Sequence, residues 1–475
     1  MELPARARRI YCNRTLNLRS IRAVGFDMDY TLVHYRVEEW ERRAYEHARG
    51  HLLERGWPVQ KLEFDPEFAI LGLCLDLELG NIVKASRFGY VTNAFHGTQR
   101  LPFDQQRELY SRVPVDLHES RWVFLNTLFS LSEATLFAQC VDLLDAGELG
   151  SALGPRELYK IVRSAVDATH MEGALKAEIA RDPKPFVELD PDLPLALLDL
   201  KTSGKKLLLI TNSEWSFTRA MMSYAIEPYL PRGTSWRDLF ELVVVSARKP
   251  DFFKGSSPLF EIVNDEGLLS PVNGATKSGG AYLGGNVRIV ERELGLSAED
   301  ILYVGDHLYA DVHVTKDMLR WRTALVLRDL EAELAALEGF ADKQAALSEL
   351  MSSKERLEHE YSKLRVELMR HEAGYGHGTP SPEELRAAMH RVRGELNELD
   401  ERIAPLAQEA GSLQNERWGL LMRAGIDKSY FARQVERYAD VYTSRVSNLL
   451  ELTPFVYLRA PRVSLPHDAG LDAST

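Results

Sequence analysis

Two aspartates give the first sign of chemistry in this chain: Asp27 and Asp29 stand two residues apart, just beyond the apolar run Ala23-Val-Gly-Phe26. In an extended chain, residues i and i+2 point to the same face, so one carboxylate can attack a reacting atom while its neighbour handles a proton. The same spacing also occurs in turns and calcium loops, and its meaning rests on what else the chain supplies. Three later loops supply it. Thr211-Asn212-Ser213 follows the run Leu207–Ile210, Lys249 follows Leu242–Val245, and Asp306 follows Ile301–Val304, with Asp311 shortly after.

As a set these residues suit phosphoryl transfer. Asp27 can attack phosphorus to form an aspartyl-phosphate, and Asp29 can protonate the leaving oxygen and then activate water. Thr211, with Asn212 and Ser213, can hold phosphate oxygens, while Lys249 offsets the charge of phosphate and carboxylates alike. Without a cation, the four acids Asp27, Asp29, Asp306 and Asp311 would repel a phosphate. Asp306 with Asp27 and a backbone carbonyl suits a hard, oxygen-ligated ion that keeps its waters, which describes Mg2+, and the expected metal set is Asp27, Asp29, Asp306 and Asp311. Each loop alone has a bland reading as a helix cap or a turn. Their order at successive strand ends is what carries weight.

Strands must deliver these groups. From Leu195 onward helix, strand and polar loop alternate, which predicts a parallel sheet whose polar loops share one crevice at the carboxyl ends of the strands. The core is therefore assigned to 1–40 and 195–330, with a domain-scale insertion, 41–194, as a cap. Within the cap the sequence predicts a hairpin over 80–97 and helices over 121–144 and 155–180. Pro183, Pro185, Pro191 and Pro194 punctuate the return to the core. The Gly- and Ser-rich stretch 268–286 reads as a mobile surface loop, with a lid over the site as the lesser reading; its glycines do not match a phosphate-loop spacing.

Residues 331–412 differ in character. Leu347, Leu350, Leu357, Tyr361, Leu364 and Leu368 keep helical spacing with Lys354 as the polar interruption, and Leu385, Met389, Val392, Leu396, Leu399, Ile403 and Leu406 keep it without one. Between them, Ser381-Pro-Glu-Glu384 is a capping box with proline at the first helical position. The pattern predicts an antiparallel helical hairpin with coiled-coil packing. Residues 413–465 return to mixed character and are expected to rest on the core, with a helix over 430–442 and a strand over 455–458. The tail 466–475 is expected to be disordered.

Composition excludes several classes. With 475 residues, 45% of them hydrophobic and 27% charged, the chain has an ordinary globular balance. Its 58 basic and 70 acidic residues give a net charge of −12, which argues against a nucleic-acid partner. Cys12, Cys74 and Cys140 follow no metal-ligand pattern and read as reduced thiols. Neither a leader pattern nor a long apolar run is visible, so the expectation is a cytoplasmic protein with no membrane partner.

The set resembles the haloacid dehalogenase superfamily, whose signature here is Asp27-Met-Asp29-Tyr-Thr31, Thr211, Lys249, and Asp306 with Asp311. It resembles more closely the cytosolic purine 5′-nucleotidases that prefer IMP and GMP. That likeness runs through Asn126-Thr-Leu-Phe129, Val162-Arg-Ser-Ala-Val-Asp167, Ile210-Thr-Asn-Ser213, Gly305-Asp-His307 and Arg437-Tyr-Ala-Asp440. The resemblance implies an α/β fold with a three-layer Rossmann-like core, an inserted cap, Mg2+ as cofactor and a homodimer or homotetramer. It also implies that the cap holds a purine nucleoside monophosphate through Phe129, Arg163, Asp167, His170 and Lys176. Ser130 stands where the family usually has Asn, and Met171 where it usually has an aromatic residue. In Val312–Leu319, where the family's animal members are lysine-rich, Asp317 would repel phosphate, so ATP activation is expected to be weak or absent even though Tyr309 could stack on a base. Two rivals stay open: a phosphatase of the same fold for a non-nucleotide metabolite, and an assembly protein working through the hairpin.

Overall fold

In the computed structural model, which describes residues 4–150, 153–171, 173–272, 274–375 and 380–462, the continuous apolar runs become the middle of a ten-stranded sheet. Its strands in chain order are β1 (Tyr11–Cys12), β2 (Ala23–Phe26), β3 (Lys206–Ile210), β4 (Leu242–Val245), β5 (Leu259–Ile262), β6 (Leu269–Pro271), β7 (Gly280–Gly284), β8 (Ile301–Gly305), β9 (Arg322–Val326) and β10 (Val441–Thr443). Their spatial order is β1, β10, β9, β8, β2, β3, β4, β7, β5, β6. From β10 across to β7 the neighbours run parallel, whereas β1, β5 and β6 pair antiparallel at the edges. All residues of β2 and β4 are buried, as expected where a parallel sheet is covered on both faces.

Register explains how the site assembles. Ala23 of β2 is level with Ile301 of β8 on one side and Lys206 of β3 on the other. Three adjacent strands therefore end together, and they deliver Asp27, Asp306 and Thr211 to one place.

The insertion contributes a five-stranded antiparallel sheet and the helices α1 (Val37–Glu54), α2 (Leu131–Asp145), α3 (Pro155–Met171) and α4 (Ala174–Arg181). The expected hairpin is two of those strands, Asn81–Ala85 and Val91–His96. Several expectations need correction. The helix expected over 121–144 starts only at Leu131, because Trp122–Phe124 pairs as a strand with Cys74–Asp76, the preference of aromatic and β-branched residues. The helix expected over 155–180 is two, separated at Gly173, whose φ of 74° is left-handed. The stretch 268–286 is not a loop throughout: Gly280–Gly284 is β7, with Ala281 and Tyr282 buried, an apolar core hidden between glycines. Likewise the helix expected over 430–442 ends at Tyr438, and its last residues form β10. Residue 273 and residues 463–475, which include the expected disordered tail, lie outside the described residues.

Residues up to Glu331, together with those from Leu421, form one compact unit, and Ala332–Leu420 forms another. The second is built on α5 (Ala341–Glu372) and α6 (Pro382–Gly411). Their seam buries Leu385, Val392 and Ile403, and the polar interruption is answered across it, since Lys354 Nζ reaches Asp400 Oδ1 at 2.6 Å. At the start of α6, Ser381 Oγ accepts from the Glu384 N–H and Glu384 Oε2 accepts from the Ser381 N–H. No described helix is long and apolar enough to cross a membrane.

Candidate active site

The turn after β2 aims both aspartates. The Asp27 N–H donates to Val304 O, extending the ladder by one residue, and the Met28 carbonyl then accepts from the N–H groups of Thr31, Leu32 and Val33. Closing so tight a turn puts Tyr30 in the left-handed region at φ 54°, a conformation that is costly for an aromatic residue and is held here by its surroundings.

Asp27 and Asp29 have different partners. Asp27 Oδ1 accepts from the Met28 N–H at 2.7 Å and lies 2.8 Å from Lys249 Nζ, which also reaches Asp311 Oδ1 at 2.7 Å. Asp29 Oδ1 accepts from the Tyr35 phenol and Oδ2 from the Ser213 hydroxyl, both at 2.6 Å. Ser213 Oγ in turn accepts from Lys176 Nζ at 3.1 Å, so a lysine from α4, in the insertion between β2 and β3, reaches the Asp27–Asp29 motif through Ser213.

The loop after β3 is self-bracing. The Ser213 N–H donates to Thr211 Oγ1 at 3.1 Å. The Asn212 side chain accepts from the Lys249 N–H at 2.6 Å and donates to the Lys249 carbonyl at 3.1 Å. Asn212 thus spends its amide on holding the loop that carries Lys249.

Asp27, Asp306 and Asp311 each offer a carboxylate oxygen within 4.8 Å of the others, the group among the described residues that could hold a metal ion. Asp29 is outside it. Two buried carboxylates and a half-buried one, set among the described residues against the Lys249 ammonium, leave excess negative charge, and burial disfavours such charge. Burial, partly opposed by Lys249 and reinforced by Asp311, pushes the Asp27 carboxyl up to about 6, and burial beside Asp27 and Asp311 carries Asp306 well above the usual carboxylate range. An all-oxygen donor set with unbalanced charge fits Mg2+. Asp29 is also raised by burial, against the pull of Lys176.

A cavity of about 230 Å³ opens over these groups. Asp27, Asp29, Asp306 and His307 line it from the core with Asn212 and Ser213, and Trp40, Thr127, Phe129 and Lys176 line it from the insertion. The Phe129 ring meets Tyr30 at 4.8 Å and Trp40 at 5.4 Å between centroids. A larger cavity, around Lys201, Lys206 and Arg237, lies at the opposite ends of the strands.

Of the residues assigned to the cap's nucleotide contacts, Phe129 and Lys176 line this cavity. Arg163 does not: it pairs with buried Glu133 at 2.7 Å and with Asp167 at 3.1 Å. The side chain of His170 lies outside what the structure describes. Sequence reasoning missed Tyr35, Trp40 and Glu133. Trp40 had a signal in its place on the first helix after the motif, while nothing local marks Glu133 as the partner of Arg163.

Comparison with known proteins bears on this site. A family model described as the 5′ nucleotidase family matches residues 10–470. The chain is 28% identical over 486 residues to human 5′-nucleotidase domain-containing protein 2, spanning 97% of this chain and 85% of the human one. It is 26% identical over 475 residues to a 5′-nucleotidase domain-containing protein of Dictyostelium discoideum, spanning 98% of this chain and 75% of that one. Among solved structures, an archaeal β-phosphoglucomutase from a Pyrococcus strain aligns over 64% of this chain and 86% of its own, at 11% identity and a TM-score of 0.31, too loose a likeness to argue from.

Proposed function

The chain belongs to the 5′-nucleotidase family and is a phosphoric monoester hydrolase, and on that premise we propose that it hydrolyses purine nucleoside 5′-monophosphates, IMP and GMP foremost, through an aspartyl-phosphate on Asp27 in a Mg2+-dependent reaction. The observation that carries this reading is the position of Asp27: it ends the central strand, is braced by Lys249, and opens into a cavity that also holds the Phe129 ring.

Among the described residues, the donors on the Asp27 carboxylate, the Met28 N–H and Lys249, fall on Oδ1, which leaves Oδ2 for the attack on phosphorus. Asp29, held at both oxygens by Tyr35 and Ser213, gives its proton to the leaving 5′-oxygen and then takes one from the attacking water. A carboxyl raised by burial suits that exchange. Thr211 and Ser213 hold phosphate oxygens, and Lys176 and Lys249 offset the charge that develops on them. Asp27, Asp306 and Asp311 would hold the Mg2+ ion, whose contribution when bound is to neutralise charge on the phosphate and the acids. Phe129 supplies an aromatic face for the base. A nucleoside kept in the cavity after the first step can accept the phosphoryl group in place of water, so transfer to inosine is a second expected outcome.

A phosphate-release screen over nucleoside monophosphates and sugar phosphates, with and without Mg2+, tests the reading. Purine monophosphates should lead, only with the metal, and Phe129→Ala should raise their KM about tenfold, in line with the loss of one aromatic stacking contact. A sugar phosphate that outpaces every nucleotide, unaffected by Phe129→Ala, would establish the rival phosphatase instead.

A further inference from the structure

Lys249 has three N–H donors and no acceptor, and all three have partners. Two go to Asp27 and Asp311. The third goes to the phenol oxygen of Tyr303 at 3.3 Å, and the Tyr303 O–H passes the chain on to the carbonyl of Ile210 at 3.0 Å. Ile210 is the last residue of β3, directly before Thr211. The phenol therefore ties the Lys249 loop to the phosphate-holding loop from a position on β8, two residues ahead of Gly305.

We propose that Tyr303 is a positioning residue for Lys249, fixing where its ammonium stands over Asp27, and that Gly25 is the residue that admits it. This rests on the aspartyl-phosphate reading above. The support is geometric. Tyr303 is fully buried, with its ring edge-on to Phe253 at 5.3 Å, so the phenol oxygen has a fixed place. A Cβ at position 25 would stand 2.8 Å from Tyr303 Cδ2, closer than carbon atoms approach, so the strand that ends at Asp27 must carry glycine there. Gly305 makes the same concession to the second acceptor, since a Cβ there would meet Asp311 Oδ2 at 2.4 Å. Two strand glycines thus clear space for two of the three groups around Lys249. Burial also keeps the Tyr303 phenol protonated, so it donates to Ile210 and accepts from Lys249 throughout.

An ammonium held by three acceptors has one place to be. With the phenol oxygen removed it keeps only the two carboxylates, and it can sink toward them and away from the phosphoryl group. Such a shift weakens an interaction made as charge develops and leaves the bound substrate little affected.

The test compares the parent enzyme with Tyr303→Phe, which keeps the ring and removes one oxygen. The expected result is a kcat lower by about tenfold, the loss expected for one hydrogen bond to a charged group. KM for the purine monophosphate should stay within about twofold, and the inhibition constant for orthovanadate, a mimic of five-coordinate phosphorus, should rise with the fall in kcat. A role confined to packing would lower the melting temperature while leaving kcat per folded molecule and vanadate inhibition at parent values, and that result overturns the proposal. Should Tyr303→Phe fail to fold, Gly25→Ala decides, because displacing the ring must produce the same paired loss; parent-like kcat and vanadate binding in folded Gly25→Ala overturn it. A parent enzyme that releases no phosphate contradicts the proposed reaction itself, whereas an active parent beside an equally active Tyr303→Phe contradicts only the positioning role.

Discussion

Glu41 on α1 shows what a single buried charge does here. Its Oε2 accepts from the Ser132 N–H at 2.8 Å and so caps the first turn of α2, directly after the turn that carries Phe129. Its other oxygen, Oε1, is buried and has no hydrogen-bond partner among the described residues. Burial pushes its carboxyl up to about 7. Because the folded value lies above the unfolded one, the native state binds the proton more tightly. The cost of this carboxylate is absent below the ordinary glutamate range and complete above about 7, amounting to about 3 kcal/mol. Glu41→Gln should therefore gain melting temperature relative to the parent as pH rises from about 5 to about 8; a difference that does not vary with pH would contradict this. His34 and His307, both lowered to about 4 by burial, act in the opposite sense, destabilising the fold as pH falls below the ordinary histidine range.

At the scale of elements, the core was far more legible than the insertion. Unbroken apolar runs ending in Asp27, Thr211 and Asp306 marked parallel strands because such strands are buried on both faces. β7 was missed because Gly279-Gly280 and Gly284-Gly285 bracket Ala281-Tyr-Leu283, and glycine pairs read as loop. Trp122–Phe124 was read as helix because its strand partner, Cys74–Asp76, is remote in sequence. Among the site residues, those with motif spacing came together, whereas Arg163 was claimed by Glu133, a tertiary contact with no sequence mark. The hairpin was legible from its stripe, since a helical repeat needs no distant partner to be recognised. Its seam rests on few buried side chains, so Val392→Asp, which puts a charge among them, should melt the helices of this unit. A clear loss of helical circular dichroism with phosphate release preserved is expected; loss of both signals together would show that the catalytic unit depends on the hairpin.

The whole molecule carries excess negative charge, and its site concentrates that excess, with carboxylate oxygens of Asp27, Asp306 and Asp311 within 4.8 Å of one another. A divalent cation should therefore stabilise the protein as well as activate it. Millimolar Mg2+ should raise the melting temperature of chelator-treated protein, and Asp306→Asn should abolish that rise together with turnover; a rise of equal size in the variant would place the ion elsewhere. The proposed reaction transfers the phosphoryl group to Asp27. The direct measurement is acid quench of the enzyme during turnover of IMP with Mg2+, followed by peptide mass analysis. One hydroxylamine-labile phosphoryl group is expected on the peptide containing Asp27 and none in Asp27→Asn, which should fold normally and release no phosphate. Turnover by Asp27→Asn at a rate near the parent's, or a phosphoryl group on any other residue, would contradict it.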